Sequence, residues 1–542
     1  MSTGVAPKGQ LGHYFINLHG AGQIIPGLHS GTIRRRLSWH QDRRFRSQVN
    51  AETINNFSFA FSGLTRMFEA RVTIAQRDHR KIVGYLRRQF EAERRYEFEA
   101  QKADTTYDVD PFTRGAYRRM LELYWTLSRV LAPPRRRSPA AQCIEEAPRP
   151  APQQQFPLIT IAPGDQPCIY VDVTDTKFFD KVTGIQRVVS ETAHYVTELG
   201  NGQPVQIRGG LILAEIDGVM GRIEARPGDI LLLLDAGWNN VDNYAHAISS
   251  FKEKGGAVVA GVYDLFPVLY PTLYGPELVI AFETWLSDVV SRSDAVVAIS
   301  RCSATCYAEY AMMRYKWCRS QKIGWWRLGA NLSAEPSREP AAAAIEIATQ
   351  GPFFLCVGTV ETRKGYPVAI EAFERLWADN IDVNLVIVGR PGWNARAFEQ
   401  RLRQHEEKGR RLFWLDDASD ADLRHLYRET CAAVFTTFAE GFGLPLVEAA
   451  QCGAPIIASD IPQFRELGGS DVRYFDLLDS ASLADALMQA LSDEKRPPRV
   501  ATLTWRESTI ELIGLLRSGA YQMDVSEISR DVATAGLAAA TK

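Results

Sequence analysis

A chain of 542 residues exceeds what one hydrophobic core organises and has room for about three domains. Apolar residues make up 46% and charged residues 23%, the balance of an ordinary soluble globular protein, which excludes a fibrous or wholly disordered chain. Net charge is −2, so no global excess of positive charge points to nucleic acid.

No apolar run is long enough to cross a bilayer. The opening Met1–Phe15 lacks the charged-then-apolar layout of a secretory leader. The eight cysteines are scattered, with Cys302 and Cys306 the closest pair and no CxxC spacing. Reduced thiols in the cytoplasm, with no metal site, are the expectation.

In chain order, residues 1–132 form a basic and helical region. A Gly-rich start leads into Arg34–Arg36 and Arg43–Arg46, and Ala51–Leu131 is rich in helix formers. Between Arg80 and Ala100 apolar residues recur three or four apart, which predicts amphipathic helix. Pro111 breaks this run. The basic cluster suits either contact with anionic lipid at the inner membrane or a solvated arm. The helices suit a small bundle, homo-oligomerisation or a partner dock. Residues 133–155 are rich in Pro, Ala, Gln and charge, a linker composition.

Residues 156–345 then alternate strand and helix signals. Short apolar runs at Cys168–Asp175, Asp229–Gly237, Gly256–Leu265 and Ala295–Ser300 are separated by helical sequence such as Thr183–Leu199. A second set fills 346–518, with strands at Phe353–Val360, Val383–Arg390, Arg411–Asp417, Cys431–Thr437, Pro455–Asp460 and Val472–Phe475. The fold class is therefore α/β, with two consecutive Rossmann-like lobes. Residues 519–542 are Ala/Thr-rich and expected to be a flexible tail.

In open parallel sheets ligands bind beyond the carboxyl ends of the strands. The richest candidate there is Phe438–Asp460, reading FAEGFGLPLVEAAQCGAPIIASD. A strand ends in a loop with Gly441 and Gly443, and a helix starts near Leu444 or Pro445. Backbone N–H groups at that start could hold a diphosphate. Glu440 stands before the helix, placed to reach sugar hydroxyls. Glu448 stands about one turn inside it, placed to accept hydrogen bonds from ribose. A lone acid at a helix start would read as ordinary dipole compensation, but the whole string does not. A second candidate is the loop after Val357, where Arg363 and Lys364 could neutralise charge growing on a leaving diphosphate, or simply be a solvated basic pair.

At Glu440 to Glu448 the chain closely resembles the retaining glycosyltransferases of family four, whose E-x7-E hallmark reads EGFGLPLVE here. The resemblance runs from about Gln166 to Leu516 and is densest from Phe353 on. It implies a GT-B fold, two Rossmann-like lobes facing a cleft, with acceptor bound by the first and nucleotide-sugar donor by the second. It implies that Glu440 contacts donor-sugar hydroxyls, Glu448 binds the ribose, and the amides of Gly441, Phe442, Gly443 and Leu444 hold the diphosphate. It gives Lys364 and Arg363 the grip on the donor phosphates. Many members carry that Arg directly after the strand glycine, where this chain has Thr359. Phe413, Trp414 and Leu415 fall where backbone meets the base, though core packing explains them equally well.

In the first lobe, TGIQRVV places Gly184 before a helix begun by Gln186 and Arg187, resembling a cleft-facing loop of bacterial polysaccharide enzymes. Close helix–sheet packing would explain the glycine as well. Asp264, in VYDLFP, follows a strand and either orients the acceptor or transferred sugar or caps the next element. Trp325–Ala330 and Trp505 resemble the family's inter-lobe segment and closing helix.

The expected activity is retaining, metal-independent transfer of a hexose, with mannose from GDP-mannose as the guess, to a growing polysaccharide or lipid-linked glycan such as lipopolysaccharide. The nucleotide sugar is a co-substrate, and no cofactor is expected. A sugar-phosphate synthase or epimerase of the same fold is a second reading. A catalytically silent scaffold that binds glycan or protein partners is a third. Removing residues 1–132 is expected to spare donor binding.

Overall fold

A computed structural model describes residues 156–159, 166–178, 184–314, 321–332, 339–392, 395–493 and 497–524, together with helical residues between positions 81 and 92. The basic cluster Arg34–Arg46, the linker 133–155 and most of the N-terminal helices lie outside the described residues.

The first lobe is a nine-stranded sheet. In chain order its first eight strands are β1 (Ile169–Asp172), β2 (Gly202–Arg208), β3 (Leu211–Ile216), β4 (Val219–Arg222), β5 (Ile230–Leu233), β6 (Ala257–Val262), β7 (Ala295–Ala298) and β8 (Lys322–Trp325), and the ninth is β15 (Met523–Asp524). Strands β8-β7-β6-β5-β1-β2 run parallel in that spatial order. β1, β5 and β7 are buried throughout, as their unbroken apolar runs require of strands covered on both faces. β3 and β4 extend the sheet antiparallel beyond β2.

The second lobe is a six-stranded parallel sheet: β9 (Phe353–Val357), β10 (Asn384–Val388), β11 (Leu412–Leu415), β12 (Ala432–Phe435), β13 (Ile456–Ser459) and β14 (Arg473–Phe475). Its spatial order is β11-β10-β9-β12-β13-β14, the dinucleotide-fold order 3-2-1-4-5-6. The chain reverses its winding between β9 and β12, so a crevice opens beyond their carboxyl ends. In the first lobe the equivalent reversal lies between β1 and β5.

Seven helices position the site: α1 (Gly184–Glu198), α2 (Val241–Glu253), α3 (Arg301–Arg314), α4 (Tyr366–Ala378), α5 (Leu444–Gln451), α6 (Pro462–Gly468) and α7 (Trp505–Ser518). Two boundaries need correction. The helix Ala342–Thr349 straddles the expected 345/346 border, and the Ala341 amide donates to Asp422 of the second lobe at 2.6 Å. That lobe therefore starts ahead of Ala341. Residues 519–524, assigned to the tail, end in a strand, β15 (Met523–Asp524), paired antiparallel with β8. α7 thus returns the chain to the first lobe. Trp505 at its start is buried and its amide donates to Asn331 at 2.9 Å.

Candidate active site

Two loops flank the reversal of the second sheet. After β9 the chain makes a tight turn, Thr362–Lys364, closed by Gly365 at φ 68°. A Cβ at Gly365 would stand 2.2 Å from the Thr436 carbonyl oxygen, so only glycine lets this turn sit against the loop after β12. The loop after β12 delivers Glu440. Lys364 Nζ lies 2.5 Å from Glu440 Oε1 and Arg363 Nη1 lies 3.0 Å from Oε2. Arg363 also donates to the Ala439 carbonyl at 2.6 Å and to Glu361 at 2.5 Å, and its guanidinium lies 5.1 Å over the Phe266 ring. Both terminal nitrogens of Arg363 are thereby committed to this chain, and the arrangement makes it a clamp on Glu440. Burial alone would push the Glu440 carboxyl up, but Lys364 and Arg363 outweigh it and hold the group below the usual carboxylate range. A small crevice beside this cluster is lined by Lys364, Tyr366, Thr436, Glu440 and Gly443.

The Gly441–Leu444 loop faces the first lobe. The Gly441 carbonyl accepts from Ser300 at 2.7 Å and Ser303 at 3.0 Å, and a Cβ there would stand 2.6 Å from the Tyr263 carbonyl oxygen. Phe442 is buried and Gly443 occupies the cap position of α5, with Leu444 its first residue. Glu466, on α6, receives the Arg301 and Cys302 amides at 2.8 and 2.9 Å, so a carboxylate of one lobe caps helix α3 of the other. Ser300, Ser303 and Glu466 carry no sequence signal for this role.

Glu448, on α5, is buried and paired with Arg187 of the first lobe at 2.8 Å. The same guanidinium donates to the Asn331 carbonyl at 2.9 Å and stands 5.9 Å from the Trp505 ring. Burial, opposed by Arg187 and aided by Asp420, pushes the Glu448 carboxyl up to about 7. The sequence named Arg187 as a helix starter; the fold makes it the partner of the second motif glutamate.

Asp264 lies after β6 and accepts the Phe266 amide at 3.0 Å, two residues on, at the start of the next short helix. It also faces the Arg363–Glu440 group, and burial lifts its carboxyl to about 6 against the pull of that amide and Arg363. Beside it opens a cavity of about 190 Å³ walled by Trp238, Tyr274, Phe282 and Trp285. Gly184 opens α1 with nothing within 4 Å of a Cβ, so close packing does not explain this glycine. Thr359 is exposed on the loop after β9. Trp414 is partly buried, donates to the Gly389 carbonyl at 2.9 Å and carries Arg403 4.8 Å over its ring. Phe413 is likewise partly buried against the core.

Tyr85 was missed altogether. Its ring is buried, its hydroxyl donates to the Thr362 carbonyl at 3.0 Å, and it meets Phe438 edge-on at 5.9 Å. At least one residue of the N-terminal region 1–132 therefore touches the turn that carries Arg363 and Lys364. Among the described residues no helix is long and apolar enough to cross a membrane, and no group of three or more His, Cys, Asp or Glu could hold a metal ion.

Residues 337–502 match the family model for glycosyl transferases group 1. The chain is 32% identical over 292 residues to the serotype-specific mannosyltransferase WbdA of Escherichia coli, covering 52% of this chain and 36% of that protein. It is 30% identical over 172 residues to O-antigen chain mannosyltransferase B of Escherichia coli, covering 31% and 42%. The chain thus spans well under half the length of these relatives. A sucrose-phosphate synthase from Thermosynechococcus elongatus is a structural neighbour at TM-score 0.44 and 17% identity, covering 68% of this chain and all of that one. The match to group 1 glycosyl transferases thus lies on the second lobe, the one that carries the E-x7-E loop, and the chain, built of two Rossmann-like lobes, is similar to bacterial mannosyltransferases.

Proposed function

We propose that the protein is a retaining hexosyltransferase that moves a mannose-type sugar from a nucleoside diphosphate sugar to a growing polysaccharide or lipid-linked glycan. The observation that supports this most is the convergence of Lys364 and Arg363 on Glu440 at the reversal of the second sheet, with Glu448 on the helix that follows. On this reading a diphosphate enters the crevice and Lys364 exchanges part of its contact with Glu440 for phosphate oxygen. The N–H groups at the start of α5 add a fixed positive potential. Glu440, freed on one side, accepts from sugar hydroxyls. Glu448 accepts from ribose hydroxyls once Arg187 yields an oxygen.

The sugar–phosphate bond then breaks with its electron pair on the diphosphate, whose growing charge Lys364 and the amides stabilise. The acceptor hydroxyl attacks from the same face, and its proton passes to the departing phosphate. Configuration is retained, and no protein nucleophile is needed. Lobe contacts through Gly441 exclude water from the intermediate stage. Mannose is favoured because the E. coli relatives are mannosyltransferases by name.

Thermal-shift measurements with GDP, UDP, dTDP and ADP, followed by turnover of the matching nucleotide sugars, test this reading. GDP is expected to stabilise most, and GDP-mannose to be consumed. Absence of both stabilisation and turnover with every nucleotide would reject it in favour of a silent scaffold.

A further inference from the structure

The turn that presents Arg363 and Lys364 is held by its carbonyls, one after another. The Lys364 carbonyl accepts from Thr436 at 2.7 Å. The Arg363 carbonyl accepts from Thr437 at 3.0 Å and from the Phe438 amide at 3.2 Å. Both anchors belong to the second lobe itself. The Thr362 carbonyl has a long bond from the Gly365 amide at 3.3 Å, and its shorter partner is the Tyr85 hydroxyl at 3.0 Å.

Tyr85 comes from a helical segment 277 residues upstream, outside the part of the chain that the family model covers. Ile82, one helical turn earlier, is buried beside it. The ring of Tyr85 meets Phe438 edge-on, and Phe438 meets Tyr270 of the first lobe edge-on at 5.5 Å. An aromatic chain thus runs from the N-terminal segment through the donor lobe to the acceptor lobe, passing directly behind the cations.

We propose that Tyr85 is a positioning residue of the donor site: by binding the Thr362 carbonyl it completes the anchoring of the cation turn, so that the N-terminal segment is part of the catalytic machinery. The inference rests on the proposed function only for its kinetic consequence. Its structural content, that the turn loosens without the hydroxyl, stands independently. Loss of the Tyr85 hydroxyl removes one anchor of the turn, and misplacing a charged group by about 1 Å costs up to about 100-fold in rate.

The test uses the full chain with Tyr85→Phe, which keeps the ring and removes the hydroxyl, and Tyr85→Ala as the larger lesion. Hydrogen exchange of the amides of residues 363–365 is expected to quicken at least fivefold in Tyr85→Phe, with an unchanged melting midpoint. Turnover of the nucleotide sugar is expected to lose about tenfold in kcat with little change in KM, a split that a merely stabilising contact would not produce. Unaltered exchange in Tyr85→Phe overturns the proposal, whatever the protein transfers. Faster exchange with wild-type kcat overturns the catalytic part. If the wild-type chain turns over no nucleotide sugar, the functional reading fails, and the exchange data still decide the anchoring.

Discussion

The carboxyl edges of the two sheets are built to the same plan and furnished with different charged groups. In the second lobe the reversal between β9 and β12 brings two cations onto one glutamate, whose carboxyl stays ionised below its usual range. In the first lobe the reversal between β1 and β5 gathers acids that, among the described residues, have no cation as a hydrogen-bond partner. Asp172 accepts from Thr174 and from Tyr244 of α2 at 2.7 Å, and burial with Asp235 beside it lifts its carboxyl to about 7. Asp235 accepts the Thr176 amide at 2.7 Å, and Asp175 is lifted to about 6 by burial and Asp235. The same topology therefore yields one edge where cations hold a carboxylate ionised and one where buried carboxyls keep their protons to higher pH. Position beyond a parallel sheet locates a ligand; local charge selects which ligand.

The sharpest way to break this comparison is to remove the cation nearest the crevice. Lys364→Ala is expected to lower kcat by about 100-fold or more while circular dichroism and melting stay near wild type. Retained turnover would mean that the second edge does not serve a diphosphate. Next comes Gly441→Ala, whose methyl would meet the Tyr263 carbonyl oxygen at 2.6 Å. A loss of about tenfold in kcat/KM is expected, with a larger radius of gyration in small-angle scattering as the lobes part. Wild-type scattering and kinetics would show that the Gly441 contact is not needed to join them.

A smaller effect concerns Arg187. Because the Glu448 carboxyl titrates near 7, nucleotide affinity should rise as pH increases through that value, where the carboxylate becomes available to ribose hydroxyls. Arg187→Met removes the opposing charge, so the midpoint of that rise should move up by about one unit. A pH-independent affinity, read by calorimetry, would separate Glu448 from the ribose. A last effect is on stability. Asp172 in the folded chain binds its proton up to about pH 7, whereas an unfolded aspartate releases it near 4. The folded state holds more protons across that window, so this group's contribution declines as pH rises from about 4 to about 7. Asp172→Asn should flatten that part of the stability curve in urea titrations at several pH values. An unchanged slope would place the acidic edge in water rather than in the core.

Much of the fold was legible because buried parallel strands are continuous apolar runs. β1, β5 and β7 and all six strands of the second sheet stand within the segments read from sequence. The motif glutamates were legible because their neighbours are glycines before a helix start. What stayed hidden was each group's partner. Arg187 sits 261 residues from Glu448, Ser300 sits 141 from Gly441, and Tyr85 sits 277 from Thr362. No local pattern encodes such pairs. The antiparallel extension β3–β4 and the β15 strand stayed unread as well; β4 and β15 are short and partly exposed and so carry little hydrophobic contrast, whereas β3 is a six-residue apolar run broken by Glu215.

The sequence by itself determined the two alternating lobes, the glycine loop before α5, and the acids and bases available to it, since these follow from hydrophobic periodicity and local backbone demands. Only the tertiary structure decided that Arg363 clamps Glu440, that Arg187 crosses to Glu448, and that an N-terminal tyrosine supports the cation turn. Charges and hydrogen-bond donors act over a few ångströms, and folding alone brings residues hundreds of positions apart within that reach.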